Sequence, residues 1–147
     1  MRAVIQRVSS SWVKIEGHQI AQIQKGYNIL LGIVKGDTIE DVDKLIKKIL
    51  NLRLFPNEEG KMDKNILQVQ GEILVVSQFT LAASIKRGNR PDFGAAAPPE
   101  EAKRLYELFC QRLQEYLPLQ TGEFGAMMEV GVVNDGPVTI IADSGEL

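Results

Sequence analysis

The chain has 147 residues, 44% of them hydrophobic, and a formal net charge of −2. That balance suits one domain with a real core. It excludes a disordered chain and a surface that binds nucleic acid through overall charge. With one Cys there is no intrachain disulfide, which points to a reducing compartment.

The elements are read in chain order. Arg2–Val8 alternates, with Ala3, Ile5 and Arg7 on one face and Val4, Gln6 and Val8 on the other, which predicts a strand. Trp12–Glu16 and Gln19–Gln24 are two more short strands about a Gly17-His18 turn. Tyr27–Val34 is apolar almost throughout, as in a strand buried on both faces. A helix follows, capped by Thr38 with Asp41 completing a capping box. Its apolar stripe is Ile39, Val42, Leu45, Ile46, Ile49 and Leu50.

Glu72–Leu81 reads as a strand that turns from apolar to mixed at Ser77. Residues 82–99 form a long loop carrying Lys86-Arg87-Gly88-Asn89-Arg90. Pro98-Pro99 open a second helix to about Tyr116, with Ala102, Leu105, Tyr106, Phe109, Leu113 and Leu117 inward. Met128–Val133 and Val138–Ala142 are the last strands. Asp135-Gly136 between them is a hairpin signal. The expected fold is a single α+β domain over 1–147: a mostly antiparallel sheet rolled towards a barrel, with two packed helices.

The start, Met1-Arg2-Ala3-Val4-Ile5-Gln6-Arg7, lacks the apolar core of a signal peptide, and Ile29–Val34 is too short to span a bilayer. A cytoplasmic protein without membrane partners is expected. One His and one Cys leave no His/Cys metal cluster, and no Walker or GxGxxG pattern is present. Neither metal nor cofactor is expected. Cys110 lies among apolar helix neighbours and reads as a buried, inert thiol. An enzyme built this way has to rely on backbone donors, hydroxyls and groups of its substrate.

Ser77-Gln78-Phe79-Thr80-Leu81 is the strongest local candidate. Strand alternation puts Ser77, Phe79 and Leu81 on one face and Gln78 and Thr80 on the other. Amides freed where strand pairing stops can hold an oxyanion. An edge strand leaving the sheet is the plain alternative. Lys86, Arg87 and Arg90 suit phosphate contact, though a short charge run is also an ordinary solvated loop. Gly136-Pro137 reads either as a surface turn or as a rigid device that aims carbonyls, and no donor, at a ligand.

Taken together, several stretches resemble the D-aminoacyl-tRNA deacylase family, also called D-tyrosyl-tRNA deacylases. They are Met1–Val8, Ser77–Leu81, Gly88-Asn89-Arg90-Pro91-Asp92-Phe93, Thr121–Met128 and Asn134–Thr139, in order and nearly end to end. Ser84-Ile85 departs from the family's frequent Asp-Thr. The resemblance implies a homodimer in which a cis Gly136-Pro137 pair reaches from one subunit into the pocket of the other. Ser77, Gln78, Phe79 and Thr80 would floor that pocket, and Arg7 would brace the Gly-Pro loop. Phe124, Gly125 and Ala126, with the following Met residues, would receive the terminal adenosine of the tRNA acceptor end.

The chemistry expected is ester hydrolysis by water, with amides near Phe79 and Thr80 stabilising the oxyanion and the ribose 2′-hydroxyl assisting. Thr80 as a covalent nucleophile is the rival version. L-residues would be rejected by steric exclusion, a filter that would leave glycyl-tRNA open to cleavage. Two other classes compete: a non-catalytic nucleic-acid-binding module, and a structural dimerisation domain in which Gly136-Pro137 is an interface turn.

Overall fold

Strand β1, Arg2–Ile15, is the spine on which the other strands hang. The structure, a computed structural model, describes Met1 to Leu147. Where the sequence suggests two strands, β1 runs unbroken through Ser9, Ser10 and Ser11. Their small polar side chains do not hinder a ladder made by the backbone. The Ser11 hydroxyl donates to the Gly131 carbonyl at 2.7 Å and accepts from the Asn28 amide at 3.0 Å, which serves the hydroxyl and leaves the buried Asn28 Oδ1 without a partner in the chain.

Strands β2 (His18–Ile23) and β3 (Gly26–Gly32) pair antiparallel with successive parts of β1. After helix α1, Ile39–Asn51, come β4 (Phe55–Pro56) and β5 (Met62–Lys64), a small separate hairpin. Strand β6, Glu72–Ser77, then pairs parallel with β3. Helix α2, Pro99–Leu113, leads to β7 (Leu119–Thr121), which pairs parallel with β6. The sheet runs in the order β2-β1-β3-β6-β7; its pairings with β1 are antiparallel, as expected for most of it, and those with β6 are parallel. It is nearly closed into a barrel, and β2 reaches round to contact β6 and β7.

The final hairpin does not form. Strand β8 runs from Glu129 to Asp143 as one strand, antiparallel to β1 from the Glu129–Lys14 pair to the Asp143–Arg2 pair. Asn134 pairs with Val8 and Thr139 with Gln6, so residues 135–138 bulge out opposite Arg7. The physical reason lies in β1. Its length gives both halves of β8 a ladder, while Pro137 has no N–H with which to begin a return strand.

Both helices pack on one face of the sheet. The main core joins Ala3 and Ile5 of β1, Ile29 and Leu31 of β3, and Ile73 and Val75 of β6 to the helices. The other face of β6, Leu74 and Val76, joins Val8, Val13, Ala21 and Ile23 inside the roll. Thr38 caps α1 with the expected capping box, and Val42, Leu45, Ile46, Ile49 and Leu50 are buried. Ile39 is not in the stripe; it is 44% exposed in the first turn. Helix α2 ends at Leu113, earlier than expected, although Leu117 beyond it is buried.

The chain ends are tied to the start of α1. The Met1 ammonium donates to Asp37 at 2.8 Å and to the Ser144 hydroxyl at 3.0 Å. Ser144 in turn donates to Asp41 at 2.7 Å. Burial pushes the Asp41 carboxyl up, but the Thr38 amide, the Ser144 and Thr38 hydroxyls and the terminal ammonium outweigh it and hold the carboxyl below its ordinary value. A carboxyl with a lowered folded pKa stabilises fully above its unfolded value, and that stability is lost as pH falls through the folded value. Asp41→Asn is therefore expected to flatten the fall of the thermal midpoint below about pH 4. Melting curves across that range check it.

Candidate active site

The β3–β6 ladder ends at the Leu31–Ser77 pair, and the Gln78 amide still donates to the Leu31 carbonyl at 2.8 Å. The chain then leaves the sheet. Phe79–Ala82 form a 3-10 turn in place of the expected strand continuation, so the alternation expected for Ser77, Phe79 and Leu81 does not hold. Gly32 makes room for this turn: a Cβ there would lie 2.9 Å from Leu81 Cβ and 3.0 Å from the Gln78 carbonyl oxygen. Leu81 N–H donates to the Gln78 carbonyl at 3.2 Å and Ala83 N–H to that of Thr80 at 3.0 Å. The amides of Phe79 and Thr80 head the turn and have no partner in the chain.

A cleft of about 720 Å³ opens at this point. Ser77, Gln78 and Phe79 line it together with Phe124, Gly125 and Ala126, so residues far apart in sequence converge as expected. Phe93 was not singled out from sequence, yet its ring meets Phe79 edge-on at 5.1 Å and 62°. Phe124 leans on Tyr106 at 5.7 Å. Phe79 remains 56% exposed and Met127 91% exposed. Aromatic and sulfur-bearing surface left open at a cleft suits a flat ring.

Thr80 is not among the lining residues. Its hydroxyl accepts from the Gln78 side-chain amide, and no ionisable side chain bonds to it. Nothing nearby would activate it as a nucleophile. No group of three His, Cys, Asp or Glu side chains is placed to hold a metal ion. Cys110 faces a separate cavity beside α2, and burial pushes its thiol up to about 12, which keeps it neutral and unreactive.

Gly136 and Pro137 stand apart from the cleft, exposed on the β8 bulge, and the bond between them is cis. Arg7 sits beneath them, 9% exposed. Its guanidinium donates to the Asp135 carbonyl at 3.0 Å and to the Leu54 carbonyl, and pairs with the Asp135 carboxylate at 3.4 Å. Tyr27, opposite Arg7 in the β1–β3 ladder, stacks on Phe55 at 5.3 Å. Lys86, Arg87 and Arg90 also stand outside the cleft, exposed on a loop closed by paired Ser84–Asp92 hydrogen bonds of 2.8 and 2.9 Å.

Comparison with known proteins gives the family and the fold. The family model described as D-Tyr-tRNA(Tyr) deacylase matches residues 4–143. A D-aminoacyl-tRNA deacylase of a Nitratiruptor species is 69% identical over 147 residues, covering 100% of both chains. One of Aquifex aeolicus is 55% identical over 148 residues, again covering 100% of both. A solved structure titled c-Myc DNA Unwinding Element Binding Protein superposes with a TM-score of 0.92 at 45% identity, over 97% of this chain and 98% of that one. A probable eukaryotic D-amino acid tRNA deacylase superposes at 0.82 with 14% identity, over 96% and 97%, and shares the fold. Rolled sheet, cleft and relatives together define a class, the aminoacyl-tRNA ester hydrolases. Within it, the chain belongs to the D-aminoacyl-tRNA deacylase family.

Proposed function

We propose that this chain hydrolyses the ester that joins a D-amino acid to the acceptor end of tRNA. The observation that carries the reading is the cleft at Ser77–Phe79, where two amides have no partner and no carboxylate, imidazole or thiol lines the walls. Water attacks the ester carbonyl, forming a C–O bond, and the amides of Phe79 and Thr80 take the developing oxyanion. Such a donor is worth about 2.7–4 kcal/mol. The acyl–oxygen bond then breaks. The water's proton passes by way of the ribose 2′-hydroxyl to the departing 3′-oxygen, giving a free D-amino acid and tRNA. Phe124, Gly125 and Ala126 receive the terminal adenosine, and Lys86, Arg87 and Arg90 contact tRNA phosphates from the neighbouring loop.

The chirality filter needs a second copy. Gly136-Pro137 does not line its own chain's cleft. In a homodimer it enters the partner's cleft, where backbone carbonyls and the Pro ring crowd one face of the α-carbon. An L side chain is pushed into that wedge and a D side chain turns away. The outer edge of β8 has no strand beside it and leaves Val130, Val133 and Ile141 exposed at 36%, 44% and 77%, which suits burial between copies. Glycine offers nothing to exclude, so glycyl-tRNA is also a substrate. No helix is long and apolar enough to cross a membrane. The site of action is the cytoplasm, where tRNA is charged.

Thr80→Val is expected to keep turnover within a few-fold of the parent. A loss of about a thousandfold would restore Thr80 as nucleophile. The deciding experiment follows loss of ester from matched D- and L-tyrosyl-tRNA. Rapid cleavage of the D form alone supports the reading, and cleavage of both removes the filter. Cleavage of neither by folded protein favours the binding-module reading, in line with the name of the relative at 45% identity.

A further inference from the structure

Lys35 is the one ionisable side chain that lines the cleft. Its ammonium has no ion-pair or hydrogen-bond partner in the chain, although acids are plentiful nearby in sequence. Asp37, two residues on, is committed elsewhere: one oxygen holds the Met1 ammonium and the other accepts from the Val34 amide at 2.8 Å. The backbone of Lys35 is held in place. Its N–H donates to the Ala95 carbonyl at 2.9 Å, Ala97 N–H donates to the Ile33 carbonyl at 3.1 Å, and Val34 and Ala96 form a bridge. An anchored backbone that carries an unpaired cation at the rim of an apolar cleft matches a ligand that carries rings and an anion together.

The substrate's chemistry says what that anion is. The end of an aminoacyl-tRNA presents an adenine, a ribose, a neutral ester and an α-ammonium. Its phosphates are the one negative component, and a lysine near the α-ammonium would repel it. We propose that Lys35 binds the phosphate on the 5′ side of the terminal adenosine. The contact orients the acceptor end, with the aminoacyl group directed away from the lysine and towards Ser77–Phe79. This assignment rests on the deacylase reading and adds an anchor distinct from the Lys86–Arg90 loop, which stands outside the cleft.

The test compares substrates with and without that phosphate. Lys35→Gln is expected to raise KM for D-tyrosyl-tRNA about 5- to 10-fold, with kcat changed less than twofold. The salt dependence of log(kcat/KM) should become shallower by about 0.7, the share of one single-strand phosphate. D-tyrosyl-adenosine, which lacks the phosphate, should be cleaved equally by parent and variant. Lys35→Arg should restore most of the affinity. An unchanged KM on tRNA overturns the proposal. So does an equal loss on D-tyrosyl-adenosine, which would place Lys35 at the reacting end or in the scaffold. If the parent cleaves no D-ester at all, the deacylase reading fails separately. Binding of an uncharged CCA oligonucleotide then still reads the contact: weaker binding by Lys35→Gln upholds it, and equal binding overturns it.

Discussion

Gly136→Ala is expected to lower the preference for D- over L-tyrosyl-tRNA by about 100-fold, equivalent to about 2.7 kcal/mol. Gly136 has φ +130°, a conformation that costs a residue with a Cβ about 1–3 kcal/mol. Space adds to the penalty. The new Cβ would lie 2.9 Å from Val138 Cγ2, 3.0 Å from the Val138 amide nitrogen and 3.1 Å from an Arg7 guanidinium nitrogen. The valine methyl can rotate away. The amide nitrogen belongs to the bulge itself, and Arg7 is held by the Asp135 and Leu54 carbonyls. Relief therefore comes from moving the bulge, and the wedge proposed for the chirality filter, displaced by a fraction of an ångström, would no longer exclude one face of the substrate. Initial rates on matched D- and L-tyrosyl-tRNA measure the effect. An unchanged preference in a folded variant of unaltered oligomeric state would remove the bulge from the filter.

The second large effect concerns the scaffold. Asp37→Ala is expected to cost about 3 kcal/mol of stability, the lower end for breaking a buried ion pair by removing one partner. The Met1 ammonium is fully buried and Asp37 nearly so, with side-chain exposures of 0% and 6%. Without the carboxylate, the ammonium keeps just the Ser144 hydroxyl, and the Val34 amide loses its acceptor. For a domain of this size the thermal midpoint should fall by roughly 6–12 °C. Calorimetry on parent and variant at the same pH measures it. A shift under about 2 °C would show that water replaces the carboxylate without loss.

How much of this was legible in the sequence differs from element to element. Both helices were, because their apolar stripes repeat at helical spacing and Thr38 carries a capping box. β3 was too, since a run apolar but for Asn28 buries both faces. The continuity of β1 and β8 was not. Ser9–Ser11 and Asp135–Pro137 carry local signals for interruption, and each is overridden by pairing with a distant strand. β4, β5 and β7 are two or three residues long and leave no period to detect. At the site, Ser77–Phe79 and Phe124–Ala126 were legible as motifs. Phe93 lay within a motif that was quoted, but its contact with Phe79 depends on how the 82–98 loop returns. Lys35 follows an apolar strand like any solubilising residue, and nothing local says that a cleft opens beside it.

The unpaired edge of β8 has a further consequence for how this protein behaves in concentrated solution. A strand of 15 residues with one bare edge is a template on which further strands can add, the first step towards open-ended polymers. The bulge divides that template. Residues 135–138 leave the β1 register and Pro137 offers no donor, so the two straight stretches on either side cannot be copied as one continuous ladder. The feature proposed to select the substrate's handedness thus also guards the molecule against fibre formation.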